Sequence, residues 1–382
     1  MSSLRGKTAI VGVGQAGLGE AHGLNAYDVM AQSSLAALGD AGLKLSDVDG
    51  FFCAMMEDSM PALMAAEYLG IQPAFIDGTM VGGSSFVNYL VSASMALNAG
   101  LCDVALITYG SNQRTASGRL VTASRPPPHE GPYKPRYPIS AYAMAAARHM
   151  YEFGTTREQL ADVAVAARGW AQHNPEAFMR DPLSREEVLS SRMVGNPLTV
   201  LDCCLVTDGG GAFVMVRADR AEDYPNKPAY ILGAAAATTH RQISQMPDLT
   251  VTAAKQSGAR AFEMAGLKPA DVDVVELYDA FTINTILFLE DLGFCAKGEG
   301  GSFVENGRIA PGGELPVNTN GGGLSCVHPG MYGVFTVIEA VRQLRGQAPG
   351  MQIDGAEIAL AHGNGGTLSS QVTAILGTKS TI

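Results

Sequence analysis

Two glycine-rich segments in the last fifth of this 382-residue chain hold most of the residues that could do chemistry. The first runs Asn318-Thr-Asn320-Gly-Gly-Gly-Leu-Ser-Cys-Val-His328-Pro329-Gly-Met-Tyr332-Gly, and the second is His362-Gly363-Asn364-Gly365-Gly366. Glycines let a backbone approach a ligand closely and take conformations that other residues resist, so donors set between them can converge on one centre. A third segment, Tyr278-Asp279-Ala280-Phe281, adds another phenol and a carboxylate. A phenol, with an ordinary pKa of about 10, matches an alcohol better than a carboxylate does in proton exchange, if its surroundings lower that pKa or the transfer is concerted.

These residues need a scaffold, and the chain builds one by repetition. Ala41-Gly-Leu-Lys-Leu-Ser-Asp47-Val-Asp49 recurs as Ala265-Gly-Leu-Lys-Pro-Ala-Asp271-Val-Asp273, each after an Ala-rich amphipathic stretch and before an apolar run. Two further pairs follow in the same order: Cys102–Gly110 with Ala356–Asn364, and Gly82-Gly83-Ser84-Ser85-Phe-Val with His328-Pro-Gly-Met-Tyr-Gly. Strands are expected at Thr8–Val13, Val104–Thr108, Ala229–Leu232, Val272–Leu277 and Glu357–Ala361, alternating with helices, which predicts an α/β fold of two similar halves. The halves are placed at residues 1–225 and 226–382, joined by the polar stretch Asp219–Pro228. The first carries an insertion at about 112–200 with a Pro- and Arg-rich loop, Arg125–Pro138, then helices. A loop of that length is expected to be a lid, a binding loop or an oligomer contact.

Composition narrows the function. A formal charge of −11 argues against a nucleic-acid surface, which would show a basic face. Cys53, Cys102, Cys203, Cys204, Cys295 and Cys326 are scattered without a C-x-x-C pair, so the sequence predicts neither a zinc site nor a disulfide framework, and a cytoplasmic setting. The first residues show no signal-peptide pattern and no apolar run reaches about 18 residues, so no membrane role is expected.

The duplicated halves, the insertion, Asn-x-x-Gly-Gly followed by His-Pro, and Asp202-Cys-Cys-Leu-Val-Thr-Asp208-Gly-Gly-Gly together resemble the thiolase superfamily, nearest its sterol-carrier-protein-type, lipid-transfer branch. The resemblance covers nearly the whole chain. It implies two βαβαβ halves in a five-layered α-β-α-β-α core, and a homodimer. In that family the nucleophilic cysteine sits at the N-terminus of a buried helix. Here that place falls within Gly82, Gly83, Ser84 and Ser85, and no cysteine is there. These four read as substrate-binding residues that make room at a helix start, with Ser84 or Ser85 as the alternative nucleophile. Cys326 does not match the nucleophile's place.

The family's Asn-Glu-Ala-Phe element stands here as Tyr278-Asp279-Ala280-Phe281, a pattern similar to the aldolases of the branch. The resemblance implies retro-aldol cleavage of a β-hydroxyacyl-CoA thioester, steroid side chains being common in that branch, to a ketone or aldehyde and a shorter acyl-CoA. Tyr278 is assigned the base, Asp279 its orienting partner and Tyr332 the acid that protonates the enolate carbon. His328 and the backbone amides around Gly363, Asn364 and Gly365 are assigned the oxyanion hole, with Asn320 in substrate binding and His362 as a further candidate for proton transfer. No cofactor or metal is expected on this chain, coenzyme A arriving as part of the substrate. The resemblance further implies a small partner with an OB-fold and zinc ribbon, of the DUF35 type. Two rival readings are an acyl-CoA acyltransferase with another nucleophile and a non-catalytic acyl-CoA or lipid binder.

Overall fold

The computed structural model describes residues 4–56, 58–116 and 126–382, so Arg125 of the Pro- and Arg-rich loop lies outside the described residues. The first half runs β1 (Thr8–Gly19), α1 (Ala26–Asp40), β2 (Gly50–Cys53), α2 (Pro61–Leu69), β3 (Phe75–Asp77), α3 (Ser85–Asn98) and β4 (Val104–Ser111). The insertion then supplies α4 (Gln113–Ala116), α5 (Ile139–Phe153), α6 (Arg157–Gln172), α7 (Arg185–Ser190) and a short hairpin of β5 (Met193–Gly195) and β6 (Leu198–Thr199), before β7 (Asp208–Arg217). The second half runs β8 (Ala229–Thr238), α8 (Ala254–Ala265), β9 (Val274–Leu277), α9 (Thr282–Asp291), α10 (Gly300–Phe303), α11 (Gly333–Arg345), β10 (Ile358–Gly365) and β11 (Ser370–Gly377).

The repeated sequence element is a repeated structure. Each copy forms a 3-10 turn, Leu45–Asp47 and Pro269–Asp271, boxed by an aspartate that accepts from the backbone N–H of Lys44 or Lys268. The aspartate that follows then ties the turn to the next strand: Asp49 accepts from the N–H groups of Asp103 and Val104, and Asp273 from those of Glu357 and Ile358. The strands repeat as well. The order β2-β4-β7-β1 in one half matches β9-β10-β11-β8 in the other, with the outer pair, β2–β4 or β9–β10, parallel and the rest antiparallel. Even the edge is echoed: β3 pairs parallel with β2, and a single parallel bridge joins Val317 to Val275 of β9.

Two residue pairs between β1 and β8 join the halves into one nine-stranded sheet that the chain folds around its inner helices. α3 and α11 touch strands of both halves, whereas α1 and α8 each cover the outer face of one, giving five layers. Their sequences fit these places. α11 buries residues on every side, including Thr336 and Glu339, as a helix packed between two sheets must, while α1 keeps an exposed side and is capped by Asn25, whose side chain accepts from the N–H groups of Tyr27 and Asp28. No helix among the described residues is long and apolar enough to cross a membrane.

Candidate active site

The N-termini of α3 and α11, the turn after β9 and the end of β10 converge on a cavity of about 480 Å³. Its wall includes Gly82, Gly83, Tyr142, Cys204, Tyr278, His328, Asn364 and Gly365, and its mouth is flanked by Met56, Met80, Tyr137 and Arg241. The loop after Arg125 reaches this mouth, where Tyr137 donates to Glu130 and Glu130 accepts from Ser244.

Tyr278 leaves β9 on a backbone N–H bonded to the carbonyl of His362, and its ring lies edge-on to His328 at 5.5 Å and to Tyr332 at 5.6 Å. Its hydroxyl donates to the Gly330 carbonyl at 3.2 Å. Burial pushes this phenol well above its ordinary pKa, the nearby Tyr332 amide opposing the shift, so Tyr278 is neutral near pH 7. His328 is fixed through its backbone, its N–H donating to Thr207 Oγ1 and its carbonyl accepting from Gln113 Nε2. Its ring Nε2 is buried and has no partner among the described residues. Burial lowers its pKa to about 4, so the imidazole is neutral and its free nitrogen is open to a ligand or to Tyr278.

Asp279 faces away from the cavity, into the first glycine-rich segment. Its carboxylate accepts from the N–H groups of Gly323 at 2.6 Å and Leu324 at 3.3 Å. Gly322 is obligatory there: it has φ +65°, and a β-carbon would sit 2.1 Å from Asp279 Oδ2. Burial raises Asp279 to about 7 against the pull of these amides. The carboxylate therefore shapes the loop that carries His328, and Asn320 completes it by accepting from the Gly322 N–H and the Tyr332 hydroxyl.

Several residues singled out in the sequence stand behind the wall rather than on it. Tyr332 is fully buried, with its hydroxyl 3.1 Å from Asn320 Oδ1. His362 is held on both ring nitrogens, by Thr373 Oγ1 and Gln371 Oε1, because the register of β10 and β11 sets Thr373 opposite His362 and Gln371 opposite Asn364. Gly363 packs on the start of α3, against Ser84 and Val87. Ser84 Oγ donates to the Val81 carbonyl and to Ser370 Oγ, and Ser85 Oγ accepts from the Val81 N–H. Both hydroxyls are thus engaged, Ser84 by backbone and another serine and Ser85 by backbone and Met80 Sδ, with no histidine or carboxylate among the described residues bonded to them. Cys204 is the one thiol on the wall among the described residues, and burial drives its pKa well above the ordinary value, the reverse of an activated nucleophile. Tyr142 was not singled out: nothing in the Ala-rich run of α5 marks it, yet it stacks on Phe281 at 4.3 Å and its hydroxyl accepts from Asn364 Nδ2 at 2.9 Å.

A duplicated five-layered α/β core with its cavity at the start of the two inner helices defines a thiolase-fold protein. Residues 235–378 match the family model described as thiolase C-terminal domain-like. An acetyl-CoA acetyltransferase of Methanothermobacter thermautotrophicus is 37% identical over 373 residues, covering 94% of this chain and 96% of that protein. A steroid side-chain-cleaving aldolase of Thermomonospora curvata is 33% identical over 387 residues, covering 96% and 97%. A 17-hydroxy-3-oxo-4-pregnene-20-carboxyl-CoA lyase of Mycobacterium tuberculosis is 35% identical over 360 residues, covering 90% and 92%. Among solved structures, an Ltp2-ChsH2(DUF35) aldolase superposes with a TM-score of 0.89 at 33% identity over 98% of both chains. The chain belongs to the thiolase superfamily, in the branch that holds the sterol-carrier-protein-type thiolases and the steroid side-chain aldolases.

Proposed function

We propose that this protein is a carbon–carbon lyase that cleaves a β-hydroxyacyl-CoA thioester by a retro-aldol reaction, giving a carbonyl product and a shorter acyl-CoA. The observation that carries this reading is the pair formed by Tyr278 and His328 at the start of α3, where Gly82 and Gly83 line the wall and no activated nucleophile stands among the described residues. The names of two relatives, an aldolase and a lyase, support it.

The pKa directions assign the steps. A phenol held above its ordinary pKa is a poor standing base, whereas a neutral imidazole with a free nitrogen can accept a proton. Tyr278 therefore takes the proton of the substrate β-hydroxyl as its own turns from the Gly330 carbonyl and passes to His328 Nε2, so no phenolate has to accumulate. The electrons of the O–H bond form the new C=O, the Cα–Cβ bond breaks, and its electrons become the enolate of the shorter thioester. The imidazolium returns its proton through Tyr278 to Cα. The sequence assigned this acid role to Tyr332, but with its hydroxyl on Asn320 that residue positions Tyr278 and the glycine-rich turn. Amide groups near Gly365 line the wall where the thioester oxygen would lie.

We further propose a cytoplasmic homodimer that joins a small OB-fold and zinc-ribbon partner. The first is supported by the edge strand β3, which leaves one side of its backbone unpaired, and by the exposed side chains of Met60 before α2 and of Leu63, Met64 and Tyr68 on it. The second is supported by the name of the aldolase structure it resembles. The function is tested by incubating the chain, alone and with the protein encoded beside its gene, with a panel of β-hydroxyacyl-CoA esters and identifying products by mass. Carbonyl plus shortened acyl-CoA is expected. Binding without turnover across the panel, or a stable acyl adduct on the intact protein, would point to the scaffold or the acyltransferase instead.

A further inference from the structure

We propose that Tyr142 is a catalytic residue of this site, donating its hydroxyl hydrogen bond to the thioester oxygen on which enolate charge builds. The inference rests on the retro-aldol reading above and adds a group from the insertion to it. Its basis is a hydrogen-bond chain with a single direction. Gln371 Nε2 donates to Asn364 Oδ1 at 2.7 Å, which leaves Gln371 Oε1 to accept from His362 Nε2 at 2.9 Å. Burial keeps the His362 ring neutral, its pKa lowered to about 4, so with a proton on Nε2 its Nδ1 must accept, and the Thr373 hydroxyl donates to it at 2.9 Å. At the other end Asn364 Nδ2 donates to the Tyr142 oxygen at 2.9 Å.

Every link in this chain passes donor character toward Tyr142. The Leu368 backbone N–H and the Asn284 side chain act on the same oxygen in the same sense, each holding its pKa down as an incoming donor does. The phenol is 2% exposed and lines the cavity, and among the described residues its own proton makes no hydrogen bond, the unpaired Oδ1 of Asn284 included. That proton is therefore available to a ligand. Incoming donors strengthen it as a donor and stabilise the charge it would share, and they limit the rise that burial imposes on Tyr142 to about 12. The same chain gives His362 a purpose as a positioning residue that holds Gln371 and Asn364 in the donating orientation.

The test compares the parent protein with Tyr142→Phe and with 3,5-difluorotyrosine placed at position 142, using a cleaved β-hydroxyacyl-CoA. Tyr142→Phe should lower kcat by about 10²- to 10³-fold, the typical loss of one oxyanion donor, with KM changed far less. Difluorotyrosine, a stronger acid, should keep cleavage at neutral pH and bring an alkaline limb into the measurable part of the pH–rate profile. The fluorinated protein decides the question if the phenylalanine variant does not fold. Parental kcat in Tyr142→Phe, or no new alkaline limb in the fluorinated protein, overturns the assignment while leaving the retro-aldol reading intact. A parent that cleaves no member of the panel instead overturns that reading.

Discussion

Gly83 and Tyr278 share a contact that leaves no room for a methyl group: a β-carbon on Gly83 would lie 2.1 Å from Cε2 of Tyr278 and 2.6 Å from its hydroxyl oxygen. Gly83 thus makes room for a phenol of the protein itself, while both Gly82 and Gly83 line the cavity. Gly83→Ala should displace that ring. A misplacement of about 1 Å costs a reaction of this kind about 10²-fold, and overpacking a full core costs about 1–3 kcal/mol. Steady-state cleavage rates and urea unfolding of the variant should show both losses, and a parental rate would separate the Tyr278 ring position from turnover.

Ser84 and Ser85 should behave differently, although they adjoin Gly83. Their hydroxyls serve Val81 and Ser370, so the double variant Ser84→Ala, Ser85→Ala should keep turnover within about tenfold while losing roughly 1 kcal/mol per buried hydrogen bond. No acyl group should be found on the parent by intact mass after exposure to acyl-CoA. Loss of all turnover in a folded, substrate-binding double variant would restore serine as a nucleophile.

The pH dependence follows from the neutral imidazole. His328 acts as the proton acceptor only when unprotonated, and burial lowers its pKa from the usual histidine range to about 4. The acid limb of kcat/KM should therefore lie near pH 4, with rates level through pH 6, where an exposed histidine of ordinary pKa near 6.5 would already be losing activity. A limb centred near 6.5 would mean that the acceptor is another group or that water reaches this nitrogen.

The duplication was legible because it is written locally. The aspartates that box each turn and clamp the next strand lie within a nine-residue element, and Asp49 and Asp273 play the same part in both copies. The glycine-rich segments were legible as a site for the same reason. What the sequence could not carry is which side chains turn inward. His328 and Tyr332 are four residues apart, yet one presents a free ring nitrogen to the cavity and the other gives its hydroxyl to Asn320. His362 lost its apparent availability to two partners on β11, set by a strand register that no local pattern displays. Tyr142 was invisible because its helix belongs to the insertion while the groups that aim it come from the second half of the chain.

Carbon–carbon cleavage through the Tyr278 hydroxyl, with no covalent intermediate, is the step on which the proposed reaction depends. The most direct measurement is single-turnover cleavage of a β-hydroxyacyl-CoA by the parent and by Tyr278→Phe, with substrate affinity measured on both. The parent should release the carbonyl product and the shorter acyl-CoA, and the variant should bind with similar affinity and cleave at least about 10²-fold more slowly, as expected for loss of a general acid–base group. Cleavage by Tyr278→Phe at the parental rate would show that the Tyr278 hydroxyl takes no part in breaking the bond.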